Sequence, residues 1–355
     1  LLNKDDGAES EEGEEEFFSW HILQVVLLTL TWWSAAVYVT VAFKMTTASP
    51  EMKLPPFTLT CLVSSAAGLI AFSLSCVFRN GTSVLQIQRQ EIFRLIALGI
   101  MQGLELACLN KSLMGLTVSE RTMIQNTNVL LMMLAAQCLG LEKLTLLRLL
   151  AGTLLALGGS IQGFESSETQ KLAESERADH FTGILFMLAS MCLTALKWML
   201  IQIVTQRSPP NSCLAQMSKL QINAAVQPVT GLTCLVLALA FESAALSPDR
   251  LLSQEVLLHV LLISVGITVI QVSELKLVQL TSAVATGVLM NVHHIPMVLA
   301  GVTFFHDKVD SLAIAGFALC ILGGGLYAVA RSCDAPRPVL EASSEEGCTS
   351  ESDKS

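Results

Sequence analysis

The apolar stretches of this chain are as long as a lipid bilayer is thick, and they recur along most of its length. Residues 57–78 contain no charged side chain, and residues 214–241 contain only Lys219. A helix needs about 20 apolar residues to cross a bilayer. Backbone groups in hydrocarbon must be hydrogen-bonded within a helix or a closed barrel, and these stretches lack the polar–apolar alternation of barrel strands. The sequence therefore predicts an all-α membrane protein.

The charge of the chain is concentrated at its two ends. Only 14% of the residues are charged, yet the formal net charge is −9, because residues 5–16 and 341–353 are acidic. The second of these segments is also rich in serine. Segments of this composition bury too little apolar surface to fold by themselves. We therefore predict disordered acidic tails at residues 1–18 and 332–355, on either side of one membrane domain at residues 19–331.

Hydropathy and the charged breaks between apolar stretches predict ten membrane spans. An even number of spans puts both tails on one side of the membrane. The loops on that side carry more Lys and Arg than the opposite loops, which favours cytosolic tails. The predicted spans are residues 20–43, 57–78, 92–109, 118–139, 144–163, 181–205, 214–241, 256–276, 282–305 and 312–330.

The second half of the chain repeats features of the first. A shift of 165 residues lays spans four and five over spans nine and ten without a gap, so that Asn126 falls on Asn291 and Gly158 on Gly323. Five spans per half give the halves opposite orientations, and such inverted repeats are a transporter architecture with a mid-membrane site. The alternative is a chance similarity between glycine-ended helices. The predicted repeats are residues 19–163 and 181–331.

Ionisable groups are costly inside a membrane, so each one within a span is a candidate site residue. Polar amides join them, because Gln125 and Asn128 share one helix face in span four, and Asn291 and His294 share one in span nine. The predicted substrate-binding residues are Glu105, Gln125, Asn128, Lys197, Glu274, Lys276, Asn291, His293 and His294.

Several candidates also have a purely structural interpretation. Lys276 lies near a span end, where its ammonium could reach the lipid headgroups, whereas Lys197 lies deeper and is expected to point into the bundle. Glu105 either pairs with a cation or lines the pathway. The two histidines of span nine lack further ligands at helical spacing, so we expect no metal and no cofactor. A proton relay, an anion contact and a packed neutral ring all stay open for this pair.

Four segments carry a resemblance to a known family. The chain is similar to the triose-phosphate/nucleotide-sugar transporter family of the drug/metabolite transporter superfamily over nearly its whole membrane region. Within that family, the Ser-Glu pair at residues 273–274 and the Gly-Phe-Ala-Leu-Cys run at residues 316–320 most resemble the GDP-fucose transporter-like subgroup. The four segments are residues 110–123 (NKSLMGLTVSERTM), 196–198 (LKW), 273–282 (SELKLVQLTS) and 304–327 (FFHDKVDSLAIAGFALCILGGGLY).

The resemblance implies a ten-helix antiporter of Golgi, endoplasmic reticulum or plastid membranes. Such an antiporter exchanges a phosphorylated sugar compound for phosphate or a nucleotide monophosphate. Glu105 matches an acidic position of the relatives, and Lys197 matches their basic position before a tryptophan. Gln125 and the pair His293 and His294 depart from the pattern, because they stand where relatives carry lysines, and the lysine of span nine contacts the substrate phosphate.

Three functions follow as expectations. The first is a nucleotide-sugar or sugar-phosphate antiporter with a small-molecule substrate and counter-substrate, embedded in a Golgi or endoplasmic reticulum membrane, or in a plastid membrane. The second is a proton-coupled exporter of a neutral or cationic metabolite, suggested by the missing lysines. The third is a transport-inactive regulatory relative. No nucleophile–base constellation or basic stripe occurs, so we expect neither an enzyme nor a nucleic-acid partner, and a homodimer stays open.

Overall fold

The computed structural model describes residues 6–48, 54–78, 88–112, 116, 124–163, 174–209, 212–242, 253–293 and 311–334, and these contain helices and no strand. The helices, numbered in chain order, are α1 (Asp6–Ala48), α2 (Pro56–Phe78), α3 (Arg89–Ser112), α4 (Asn128–Cys138), α5 (Leu146–Gly163), α6 (Glu174–Gln206), α7 (Cys213–Gln216), α8 (Lys219–Phe241), α9 (Gln254–Leu280), α10 (Ala283–Val292) and α11 (Ser311–Asp334).

Within this described part, seven helices are long and apolar enough to cross a membrane. They lie in α1, α2, α3, α6, α8, α9 and α11, and the shorter apolar helices Leu146–Ile161 and Ala283–Val292 accompany them. The protein is therefore an all-α membrane protein, as the sequence predicts. The prediction of ten spans stays a prediction, because residues 117–123 and 294–310, which would complete spans four and nine, lie outside the described residues.

The first helix begins earlier than the sequence analysis expects. α1 starts at Asp6, so residues 6–18 are helical where a disordered tail was predicted, while the tail at residues 335–355 lies outside the described residues. The physical reason is that the apolar span supplies the helix nucleus, and extending an existing helix costs far less than starting one. Ala and Glu are also good helix formers, and acidic side chains suit a helix N-terminus.

The most extensive helix packing joins the helices before residue 164 to those after residue 173. α2 packs on α8 and α5 packs on α11, while α3 contacts both α6 and α8, and α9 contacts both α1 and α2. These helix pairs map onto one another when α1–α5 are exchanged for α6 and α8–α11 in order. The α3–α6 contact corresponds in this way to the α9–α1 contact.

The α5–α11 pair is antiparallel and has no room for larger residues at its crossing. A Cβ atom added to Gly158 would lie 2.6 Å from the Gly316 carbonyl oxygen, and one added to Gly323 would lie 2.9 Å from the Leu155 nitrogen. Cys320 Sγ donates to the Leu155 carbonyl, 3.7 Å away and 165 residues earlier in the chain. Small residues at a helix interface allow such close approach of backbones.

Two parallel crossings, α3 with α8 and α2 with α9, each contain a hydrogen bond from a hydroxyl group of one helix to a carbonyl group of the other. The Thr230 hydroxyl on α8 donates to the Gly99 carbonyl on α3 over 3.2 Å. The Ser264 hydroxyl on α9 donates to the Val63 carbonyl on α2 over 3.0 Å. Hydroxyl groups that bond a neighbouring helix are a common way to hold helices together in a membrane.

Candidate functional site

A buried ion pair lies between α3 and α6. Lys197 Nζ is 2.5 Å from Glu105 Oε2, and both side chains are about one-tenth exposed. Thr194, one turn before Lys197, donates its hydroxyl to the other carboxylate oxygen of Glu105 over 2.8 Å. The Trp198 ring lies 5.6 Å from the ammonium. The structure thus gives Glu105 the cationic partner that the sequence left open, and it confirms that Lys197 points into the bundle.

The pair needs its partners because charge is expensive away from water. Taking two charges out of water costs several kcal/mol for each ion, about the size of their mutual attraction, and extra hydrogen bonds must make up the difference. Here the Thr194 hydroxyl bonds the carboxylate, and the Ser190 hydroxyl bonds the Glu105 backbone carbonyl over 3.2 Å. Both hydroxyls stand on the same face of α6 as Lys197, at helical spacing.

A second carboxylate lies between α9 and α1. The Trp32 indole nitrogen donates to Glu274 Oε1 over 3.2 Å, and Glu274 interacts electrostatically with both Lys197 and Glu105. The Trp32 ring also stacks on the His293 imidazole, with ring centroids 5.9 Å apart and planes at 20°. We call Trp32, Glu105, Lys197, Glu274 and His293 the central cluster.

The central cluster gathers residues from five segments of the fold. It contains two carboxylates and one ammonium, so its formal charge is −1 when the histidine is neutral. Trp33 borders His293 as well, with centroids 6.1 Å apart. The cluster can therefore bind a cation directly, take up a proton, or exchange the Glu105–Lys197 contact for an anionic group.

Amide side chains form a second polar group between α4 and α10. Asn291 donates from Nδ2 to the Asn126 carbonyl oxygen over 3.1 Å. Asn126 and Asn128 are fully buried, yet both polar side-chain atoms of Asn126 and the Oδ1 atom of Asn128 have no hydrogen-bond partner among the described residues. Buried polar atoms are rarely left without a partner, so a polar ligand or water would stabilise this region.

Two further amides were missed by the sequence analysis. Asn223 and Gln227 lie four residues apart on α8 and are fully buried. Neither polar side-chain atom of either residue has a hydrogen-bond partner in the described part of the chain. The signal that could have found them is their i, i+4 spacing within a predicted span, which puts both amides on one helix face.

The remaining predicted residues are placed differently. Gln125 is half-buried, in the helical turn just before Asn126. Lys276 lies two residues after Glu274 and therefore on another face of α9, where its ammonium donates to Gln279 Oε1 over 3.3 Å. The structure does not bring it into the central cluster. His294 lies outside the described residues. No group of three or more metal-ligating side chains occurs within the described ranges.

Comparison with known proteins finds solved structures with a similar fold and indicates no function. No protein-family model matches the chain, and no curated protein matches it. Solved structures do match, in 28 chains. One, described only as "Crystal structure of protein", is 16% identical, superposes with a TM-score of 0.65, and is matched over 88% of this chain and 99% of that chain. At this identity the likeness shows a shared fold alone.

Proposed function

We propose that the protein is an alternating-access antiporter that exchanges a nucleotide sugar or sugar phosphate. It would consist of two inverted five-helix repeats in a Golgi or endoplasmic reticulum membrane, with both tails in the cytosol. The observation that carries the proposal is the buried Glu105–Lys197 pair, with unpaired amides on neighbouring helices. The reciprocal contacts of the two halves support the repeats, because inverted repeats bind their substrate at the repeat interface near mid-membrane.

The central cluster supplies the groups that such a substrate needs. Lys197 is the cation that would contact phosphate, and it would do so by exchanging the Glu105 carboxylate for a phosphate oxygen. The unpaired amides of Asn128, Asn223 and Gln227 can donate to or accept from sugar and base hydroxyl, amino and carbonyl groups. In the empty carrier the Glu105 carboxylate neutralises Lys197, so that neither charge is buried without a counter-ion.

A second candidate has its own supporting observation. The formal charge of −1 on the central cluster favours proton-coupled transport of a neutral or cationic metabolite over transport of an anion. Glu274 is the group that would carry the proton, because its recorded hydrogen bond comes from the Trp32 indole and no described cation lies within ion-pair distance.

The two candidates are separated by transport into proteoliposomes. Counterflow is measured with GDP- and UDP-sugars, triose phosphates and inorganic phosphate, each with and without a pH gradient. The antiporter proposal expects exchange of a phosphorylated compound without a gradient, lost in Lys197→Met. The exporter proposal expects gradient-driven transport that Glu274→Gln makes independent of pH. Failure of every substrate under both conditions would contradict the antiporter proposal, because all of them are anions. The exporter proposal would be contradicted if neutral and cationic metabolites also failed, and failure of both sets would favour the transport-inactive relative.

A further inference from the structure

A polar cavity lies at the end of the bundle where α11 ends, and no residue of the central cluster lines it. It has a volume of about 450 Å³, within the range of about 300–1,000 Å³ that small-molecule sites occupy. Its walls come from the α4–α5 connection, α6, the α9–α10 connection and the last turn of α11. The charged side chains in these walls are Glu142, Lys143, Arg148 and Arg331.

The charge of this cavity is opposite to that of the whole chain. Three cationic side chains and one acidic side chain give it a formal charge of +2, in a protein whose net charge is −9. The central cluster, in contrast, is net negative. A concave, cationic patch concentrates field and attracts anions, so the lining is suited to an anionic ligand.

Two helices also begin at this cavity. Thr145 precedes α5, and its hydroxyl accepts from the Arg148 backbone nitrogen over 3.4 Å. Ser282 caps α10, and its hydroxyl accepts from the Ala285 nitrogen over 3.1 Å. Both cap residues line the cavity. The N-terminus of a helix carries partial positive charge, which favours phosphate and other anions.

Hydrogen bonds hold two of the cationic groups in place. Arg148 contacts Glu142 Oε2 over 3.1 Å and the Lys143 carbonyl over 3.1 Å. Arg331 donates to Ser282 Oγ over 3.2 Å and to the Thr281 carbonyl over 2.8 Å. Tyr327 donates its hydroxyl to Glu142 over 3.3 Å. The guanidinium groups are thus oriented before any ligand arrives, which lowers the cost of binding.

We propose that this cavity binds a phosphate group. Two fixed guanidinium groups, a flexible exposed ammonium and two helix N-termini suit a tetrahedral, multiply charged anion better than a single carboxylate, because arginine forks bond paired oxygens. The phosphate belongs either to a soluble phosphorylated compound or to the headgroup of an anionic lipid. The proposal goes beyond the transport function and holds whichever substrate crosses the membrane.

The test measures binding to the full chain in nanodiscs of neutral lipid. One arm titrates inorganic pyrophosphate, and the other titrates a short-chain phosphatidylinositol phosphate below its micelle-forming concentration. Removing one charged partner should weaken binding about 10-fold or more, in both Lys143→Gln and Arg331→Gln. Glu142→Gln should tighten it, since the single acidic group is neutralised. Arg89→Gln removes an exposed cation that does not line the cavity and should leave binding unchanged.

The choice of variants separates a loss of ligand binding from a loss of folded structure. Arg331 bonds the α9–α10 connection, so its replacement could loosen the fold, whereas the Lys143 side chain is exposed and its removal should not. Binding of pyrophosphate that weakens in Lys143→Gln supports the proposal and identifies a soluble ligand. Binding of the short-chain lipid alone, weakened by the same change, supports it with a lipid headgroup. Absence of binding in both arms, or affinities that Lys143→Gln and Glu142→Gln leave unchanged, would overturn it.

Discussion

Two corresponding helix contacts, α3 with α6 and α9 with α1, carry different polar side chains. Where α3 meets α6, Glu105 faces Lys197 in an ion pair. Where α9 meets α1, the corresponding contact in the other half, Glu274 faces Trp32 in a hydrogen bond. A shift of 165 residues carries Trp32 onto Lys197, and each is followed by a tryptophan. The two helix contacts correspond in position, and their charges do not.

This difference suggests where specificity lies in such a protein. The apolar and small-residue contacts recur in both halves, as at the α5–α11 crossing, because both halves must satisfy the same close approach. The contacts of the charged side chains diverge. In the proposed antiporter, a substrate between the two halves would meet each half with a different part of its own structure. An ammonium on one side and an indole on the other would give the site a charged end and a stacking end.

The largest effect is expected from removing the charge of the second half. Lys197→Met keeps much of the side-chain length but leaves the Glu105 carboxylate buried without its counter-ion. Breaking a buried pair in this way costs about 3–5 kcal/mol, so thermal unfolding in detergent should occur at a clearly lower temperature. Adding Glu105→Gln to the same chain should recover most of the loss. A single variant as stable as the wild type would mean that the pair is not needed.

A smaller loss of stability, equal at the two sites, is expected from replacing the two glycines at the α5–α11 crossing. Gly158→Ala and Gly323→Ala each put a methyl group within 3 Å of the opposite helix, and overpacking of this kind costs about 1–3 kcal/mol. Gly325→Ala is the control, since a Cβ there meets nothing within 4 Å. Unfolding measurements that show a loss at only one of the crossing glycines would break the symmetry between the halves.

The next effect is expected from placing a lysine in the first half at the position that corresponds to Lys197. Trp32→Lys puts an ammonium opposite Glu274 and brings the formal charge of the central cluster to zero. The affinity for a nucleoside diphosphate should rise about 10-fold, or about 1.4 kcal/mol, measured by calorimetry on the solubilised protein. In the control Trp33→Lys, the charge stays beside His293 but lies about 100° around the helix from the position opposite Glu274. Equal gains in both variants would contradict the proposed correspondence of Trp32 and Lys197.

The smallest effect is expected from the hydrogen bond of the first half. Trp32→Phe removes the indole donor to Glu274 while keeping an aromatic ring beside His293. A hydrogen bond contributes about 0.5–1.5 kcal/mol net, so the loss of stability should be well below that in Lys197→Met. Trp33→Phe serves as the control. A loss as large as that of Lys197→Met would show that the two contacts are energetically alike.

The sequence predicted the seven long apolar helices of the described residues, because bilayer thickness fixes the length and composition of such helices. It also singled out Glu105, Lys197 and Glu274, since ionisable groups stand out in apolar spans. It did not predict which of them pair, because partners on different helices have no periodic relation along the chain. Trp32 was missed because a membrane tryptophan ordinarily signals the lipid interface, and only its contacts with Glu274 and His293 reveal a polar role.

Asn223 and Gln227 were missed for a related reason. An uncharged amide in a long apolar span carries little weight in a hydropathy profile. Whether such an amide faces lipid or the bundle depends on how α8 packs against α2 and α3, which is a property of the assembled fold. The phosphate cavity was not predicted from the sequence either, because its walls come from four separate segments of the chain.

The interleaving of the two halves has a consequence for how the protein is made. The most extensive helix contacts join segments before residue 164 to segments after residue 173. A nascent chain that has delivered only its first five predicted spans to the membrane therefore lacks the surfaces on which those helices pack. Its Glu105 carboxylate has no Lys197, and its Gly158 has no opposing helix. We expect the first five spans to stay incompletely packed in the bilayer until the later spans are inserted. If the two halves are expressed separately, each should be degraded when produced alone, and both should be stable when produced together.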